Sequence, residues 1–292
     1  MTDYPTDVPI AVIGGSGLYA MPDLTDSTRY EIETPFGDPS DAITVGTLAG
    51  RRVAFLPRHG IGHRLPPTQV PSRANLFALK LLGVRAVISV SAVGSLREEL
   101  APLHLVVPDG VSDRTTLRAR TFFDAAGLVA HVAMAEPFCD SLRQLLIEGA
   151  TDAGAIVHAG GTYICIEGPR FSTKAESREY RAWGLDIIGM TAMPEASLAR
   201  EAEMRYAVLA CVTDYDVWHE SEEAVSVEMV VANLRRNVAT AQAVLRYVVP
   251  RIDLDTDDPC EHALATAIIT DPAYVPATLR ARLAPLVSKY LP

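Results

Sequence analysis

Nowhere in the chain do about 18 apolar residues run uninterrupted, which excludes a membrane-spanning helix. The opening MTDYPTDVPIAVIGG lacks a basic n-region and a signal-type apolar core, so a soluble cytoplasmic protein is expected. Cysteine is scarce. Cys139, Cys165, Cys211 and Cys260 are widely spaced, with no CxxC pair and no Cys/His zinc spacing, which excludes a disulfide framework and a zinc ribbon. Cys165 and Cys211 lie inside apolar runs and are expected as buried, reduced thiols. Positive charge is also short: 26 Lys and Arg against 36 Asp and Glu leave a net charge of −10, unsuited to general nucleic-acid or anionic-membrane binding. Any phosphate must therefore meet a local basic pocket. No internal repeat, low-complexity tract or long like-charge block is present, and a hydrophobic fraction of 49% supplies a sizeable core.

Short apolar, β-branched runs recur at 10–13, 52–56, 86–90, 105–107, 162–166 and 206–212 and read as buried strands. The stretch 44–56 reads as a hairpin turning near Ala49-Gly50. Helices are expected over 73–82 (closed by Gly83), 140–153 (closed by Gly154), from the capping-box spacing Thr173–Glu176 toward Trp183, over 193–204, and over 226–248. This alternation predicts an α/β fold of three layers, with a mixed central β-sheet flanked by helices on both faces. Residues 1–251 read as a single domain. The acidic stretch 253–259 reads as a solvated connector to a helical C-terminal appendage, 252–292, with helices around 262–269 and 276–286.

Function in open α/β sheets gathers at strand ends. The first strand runs into Gly14-Gly15-Ser16-Gly17, a loop whose N–H groups and hydroxyl suit an anion or form a plain tight turn. It departs from the GxGxxG fingerprint at Ala20, and the following hairpin breaks the βαβ unit that a dinucleotide site needs. The second apolar strand ends in Arg58-His59, a planar fork beside a further donor that could hold an oxyanion or be merely solvated. Two glycines between His59 and His63 disfavour a helical metal pair, and no metal site is expected. Ser91 and Ala92 lie in a run of small residues and hydroxyls at the third strand end. The last strand ends in Asp214-Tyr215-Asp216, two carboxylates that could cap a helix or supply a buried general acid.

Together the motifs GGSGL (14–18), TPFGDPSD (34–41), RHGIGH (58–63), AVGSLREE (92–99), DRTTLR (113–118), AEPFC (135–139), IEGPRFSTKAES (166–177), GMTAMPEASLA (189–199) and TDYDVWHESEEAVSV (213–227) resemble the trimeric purine nucleoside phosphorylases, specifically the 5′-methylthioadenosine phosphorylase branch. The resemblance spans residues 8–250; the tail beyond Arg251 carries none of these motifs. It implies phosphorolysis: phosphate attacks C1′ and the purine leaves, with inorganic phosphate as co-substrate and no cofactor. It assigns Ser16, Arg58, His59, Ser91, Ala92 and Thr191 to phosphate and Met190 to the ribose. Phe171 and Ser172 fall to the base, Asp214 to purine N7 as acid and Asp216 to the 6-amino group. Val227, Val230 and Val231 would line a 5′-methylthio pocket, completed by His131 of a neighbouring subunit in a homotrimer. An aspartate at 214 favours a 6-amino over a 6-oxo purine, because buried donor–acceptor mismatch separates substrates by on the order of 10⁴-fold. A phosphorylase for 6-oxopurine nucleosides or 5′-methylthioinosine is the alternative. A dinucleotide oxidoreductase and a non-catalytic nucleoside sensor are the readings of other classes.

Overall fold

The computed structural model describes residues 3–15, 18, 21–219 and 227–291. Its strands are β1 (Ile10–Gly14), β2 (Thr25–Tyr30), β3 (Ile43–Leu48), β4 (Arg51–Pro57), β5 (Ala86–Ser95), β6 (Leu105–Val107), β7 (Gly110–Arg114), β8 (Val157–Ala159), β9 (Thr162–Ile166), β10 (Ile187–Gly189) and β11 (Arg205–Asp214). Its helices are α1 (Ser72–Leu81), α2 (Asp140–Asp152), α3 (Lys174–Ala182), α4 (Ala192–Glu201), α5 (Val227–Val248), α6 (Ala277–Arg282) and α7 (Ala284–Val287).

All eleven strands join one mixed sheet. Its centre is β5, which runs parallel to β1 on one side and to β11 on the other. The far end of β5 also pairs antiparallel with β10. The pleat sends alternate side chains to opposite faces. Ala11 and Ile13 of β1 enter a core with Leu76 and Leu79 of α1 and Ala196 and Ala199 of α4. Ile10 and Val12 enter the other core, with Leu142 and Leu146 of α2 and Val244 and Leu245 of α5. The expected three layers are therefore present. All four cysteines are buried free thiols, and among the described residues no helix is long and apolar enough to cross a membrane.

Several expectations need correction. The polar β2 and the short β7, β8 and β10 lie outside the expected strands. No helix covers 262–269: a single 3₁₀ turn, Pro259–His262, gives way to turns, and Ile268 bridges Ala130. The helix expected from 193 has Met193 in an extended conformation (φ −115°, ψ 135°), and α4 ends at Glu201. The acidic stretch 253–259 is not uniformly solvated. Leu254 and Asp258 are buried, and Arg205 donates to the carbonyls of Asp253 (2.6 Å) and Thr256 (2.6 Å). Beyond it, Leu264, Leu279, Leu283, Leu286 and Val287 enter the α1/α4 core.

Candidate active site

Parallel register brings the ends of β1, β4, β5 and β11 to one edge. Gly14 lies opposite Pro57, and the Arg58 N–H donates to the Gly14 carbonyl at 3.0 Å. On β5 and β11, Ser91 lies opposite Ala210, Ala92 opposite Cys211 and Gly94 opposite Asp214. β10, paired with β5 and β9, delivers Met190 and Thr191 to the same edge. Ser16 lies outside the described residues, as does the side chain of Val227.

Arg58 does not hang in solvent. Its side chain is 3% exposed and that of Glu195 is 2% exposed. Arg58 Nε and Nη2 donate to the two Glu195 oxygens at 2.5 and 3.1 Å. Nη2 also reaches Ser89 Oγ (2.7 Å), and Nη1 reaches the Val90 carbonyl (3.1 Å). The Tyr206 hydroxyl donates to Glu195 at 3.0 Å. A guanidinium has five N–H groups. The described partners leave one Nη1 N–H of Arg58 for a ligand. Beside it, His59 Nδ1 meets the Leu65 carbonyl at 2.9 Å, and since a carbonyl only accepts, Nδ1 carries the proton. Burial, then the Arg58 charge, push the His59 pKa down to about 4. The ring is thus neutral near pH 7, and its Nε2 is an acceptor.

Asp214 is buried at the end of β11. Its Oδ2 accepts from Thr213 Oγ1 (2.7 Å) and its Oδ1 from the Asp216 N–H (2.8 Å). Burial nevertheless raises its pKa above the ordinary carboxylate value, against the pull of those two donors. The close approach to β5 explains Gly94: a Cβ there would stand 2.9 Å from Asp214 Oδ1. Asp216 is buried at φ +51°, a left-handed conformation that Asp tolerates, and burial raises its pKa too. The turn is braced by Trp218, whose Nε1 donates to the Ser95 carbonyl (2.7 Å) beneath the Arg181 guanidinium (3.4 Å from the ring centre).

Buried polar atoms almost always find partners. Among the described residues, Ser91 Oγ and Ser172 Oγ are buried and have none, whereas the Ser177 hydroxyl faces the Asp216 carboxylate and pulls its pKa down against burial. Both orphaned hydroxyls belong to residues singled out from sequence. Ser172 lines a cleft of about 160 Å³ together with Ile166, Glu167 and Arg170. A larger recess of about 180 Å³, beside Arg73, Leu117 and Arg118, contains none of these orphaned groups, so unmet hydrogen bonding locates the site better than size does.

The remaining candidates are less enclosed. Phe171 is 41% exposed and Val231 38% exposed, and Val230 is half-buried on the first turns of α5. The α5 axis is tied to β11 by Asn233 Nδ2, donating to the Thr213 carbonyl (2.7 Å), and Asn237 Nδ2, donating to Val212 (3.2 Å). Thr191 Oγ1 lies 3.2 Å from the Tyr163 hydroxyl. His131 is exposed on a segment held to the C-terminal residues through the Ala267 carbonyl (2.9 Å), and no hydrogen bond among the described residues ties it to Asp214 of its own chain. Sequence reasoning missed Glu195, Tyr206, Arg118 and Glu167. A glutamate within the apolar MPEASLA helix was a usable signal for Glu195.

Among the described residues, one buried group has metal-ligand spacing: Cys139, Asp258 and Cys260. Its carboxylate already accepts from Ser141 Oγ (2.7 Å) and the Cys260 N–H (2.9 Å), and the Arg205 cation lies 3.8 Å away. The cluster fastens the C-terminal segment to α2.

Residues 9–250 match the family model described as "Phosphorylase superfamily". The S-methyl-5′-thioadenosine phosphorylase of Chloroflexus aurantiacus is 58% identical over 96% of this chain and 98% of its own. That of Geobacter sulfurreducens is 54% identical over 97% and 99%. A crystal structure of a methylthioadenosine phosphorylase from an Antarctic soil metagenomic library superimposes with a TM-score of 0.92 at 50% identity, covering 97% and 99% of the two chains. The Schistosoma mansoni methylthioadenosine phosphorylase in complex with adenine gives 0.81 at 37%, covering 96% and 98%. Such coverage includes most of the segment 252–292, which is therefore shared with relatives and not peculiar to this chain. The chain belongs to the phosphorylase superfamily, within its S-methyl-5′-thioadenosine phosphorylase branch.

Proposed function

We propose that this protein cleaves 5′-methylthioadenosine with inorganic phosphate, giving adenine and 5-methylthioribose 1-phosphate. The observation that carries the reading is that the paired strands β5 and β11 bring to one end an unsatisfied buried serine, Ser91, and, three residues further along the register, the buried carboxyl of Asp214, whose pKa burial raises. Ser91, the backbone of Ala92, Thr191, the spare N–H of Arg58 and the Ser16 loop hold the phosphate. The Arg58 charge is balanced by Glu195, and His59 is neutral, so the anion is bound by directed hydrogen bonds more than by net charge. Neutral His59 offers Nε2 to the P–OH of hydrogen phosphate.

A phosphate oxygen forms the bond to C1′ as the C1′–N9 bond breaks. Positive charge gathers on the sugar, where the anion faces it, and negative charge gathers on the purine. Asp214, whose pKa burial raises, is the proton donor to N7, and Asp216 accepts from the 6-amino group. Phe171 and Ser172 flank the base, Met190 underlies the ribose, and Val227, Val230 and Val231 receive the methylthio group. That burial is worth about 0.8 kcal/mol per methylene equivalent. His131 completes the pocket from the neighbouring subunit of a homotrimer. The reading takes no cofactor and no metal, and it places the reaction in the cytoplasm.

The test is adenine release with and without phosphate, from methylthioadenosine, methylthioinosine, adenosine and inosine in parallel. Phosphate-dependent release, fastest from methylthioadenosine, is expected. Faster turnover of the 6-oxo substrates would overturn the assignment of the base pocket, and release without phosphate would overturn phosphorolysis.

A further inference from the structure

Arg118 uses every N–H it has. Nε donates to Glu167 Oε1 (3.0 Å), Nη1 to the carbonyls of Met190 (2.7 Å) and Met193 (2.6 Å), and Nη2 to the carbonyls of Ile166 (3.3 Å) and Glu167 (2.8 Å). Its side chain is only 5% exposed. Glu167 balances the charge and is itself held by the N–H groups of Thr116 (2.5 Å) and Leu117 (2.9 Å). Burial pushes the Glu167 pKa up, but those N–H groups and the guanidinium outweigh it and hold it near 2. One side chain thus clips three separate segments: 116–118, the end of β9, and the turn between β10 and α4.

That turn carries Met190 and Thr191. In a trans peptide the C=O and the following N–H point to opposite sides. Drawing the Met190 carbonyl toward Arg118 therefore turns the Thr191 N–H the other way, where the Tyr163 hydroxyl lies at 3.4 Å. The β9 turn presses on the same residue: Gly168 has φ +68°, and a Cβ there would stand 2.5 Å from Met190 Sδ. Met190 is thus set from below by the clip and from the side by Gly168.

We propose that Arg118 is a positioning residue for phosphorolysis: it touches neither substrate, but fixes the Met190–Thr191 turn that supports the ribose and one side of the phosphate. The proposal rests on the site reading above. Lysine cannot replace it, because an ammonium directs three donors from one point whereas the clip needs five from a planar fork. The base side has a further anchor of its own beyond the clip, since Arg170 and the Thr173 N–H both bind Glu176 at the start of α3.

The experiment compares wild type, Arg118→Lys and Arg118→Met in the full chain, with thermal melts, kcat and KM for methylthioadenosine and phosphate, and the Kd of adenine by calorimetry. An ångström of misplacement costs about 100-fold. We expect kcat/KM for the nucleoside to fall about 30- to 100-fold in Arg118→Lys and KM for phosphate to rise about tenfold, with adenine Kd unchanged within about twofold. Should Arg118→Met not fold, Arg118→Lys carries the test. Unaltered kinetics in folded Arg118→Lys would overturn the proposal, and so would a parallel loss of adenine affinity, which marks general collapse. An inactive wild type would remove the site reading and this proposal together. An active wild type with an indifferent Arg118→Lys would remove this proposal alone.

Discussion

Replacing Arg58 by methionine removes one partner of a fully buried ion pair and leaves the Glu195 carboxylate with, among the described residues, only Ser89 and Tyr206 to solvate it. Breaking such a pair costs roughly 3–5 kcal/mol. An unfolding entropy of about 2.1 cal/mol/K per residue gives this chain about 0.6 kcal/mol/K, so the melting temperature should fall by about 5–8 °C. Neutralising Glu195 in the same molecule removes the stranded charge. The double variant Arg58→Met/Glu195→Gln should therefore regain at least about 2 kcal/mol over the sum of the single losses. Calorimetric melts of the four proteins measure the cycle, and phosphate KM in the double variant then isolates the anion-binding part of the role of Arg58. We expect a stable double variant with a phosphate KM raised at least tenfold, as loss of about 1.4 kcal/mol requires. Additive losses, or an Arg58→Met melt within 2 °C of wild type, would refute the argument that the pair is buried and coupled.

Asp214→Asn should lower turnover of methylthioadenosine about 10²- to 10³-fold and shift relative activity toward 6-oxo nucleosides, measured as parallel kcat values. Ser91→Ala removes an unsatisfied hydroxyl, so phosphate-free stability in denaturant titration should rise by about 1 kcal/mol while phosphate KM also rises. Glu201, whose pKa burial raises from 4.5 to about 7, binds a proton in the folded state that the unfolded chain has already lost. Stability should therefore fall as pH rises from about 4.5 to 7, by about 3 kcal/mol, and Glu201→Gln should flatten that slope in denaturant melts across the window.

The elements that sequence made legible are those whose signal is local. The capping box of α3 is present as read: Thr173 Oγ1 accepts from the Glu176 N–H and the Glu176 carboxylate from the Thr173 N–H. The β3–β4 hairpin turns at Ala49 and Gly50, both with positive φ, and the buried runs became β1, β4, β5, β6, β9 and β11. The illegible parts depend on distant partners. β2, TDSTRY, is almost wholly exposed and has no apolar face to betray it; it exists because β3 pairs with it. The stretch 262–269 has helical composition, but Ile268 pairs with Ala130 and Ile269 donates to the Val129 carbonyl instead. In the site, strand ends and paired carboxylates were visible as motifs. Glu195 and Arg118 were not, because what each does is set by backbone and side chains brought from far along the chain.

β5 is edged by β1 over Ala86–Ser89, by β11 over Ala86–Gly94 and by β10 at its tip. A one-residue insertion there would reverse the facing of every later side chain on the strand, and so displace the anion and purine contacts in a single stroke. A scan of single-residue insertions should therefore find the strand from Ala86 to Ser95 among the least tolerant stretches of the chain.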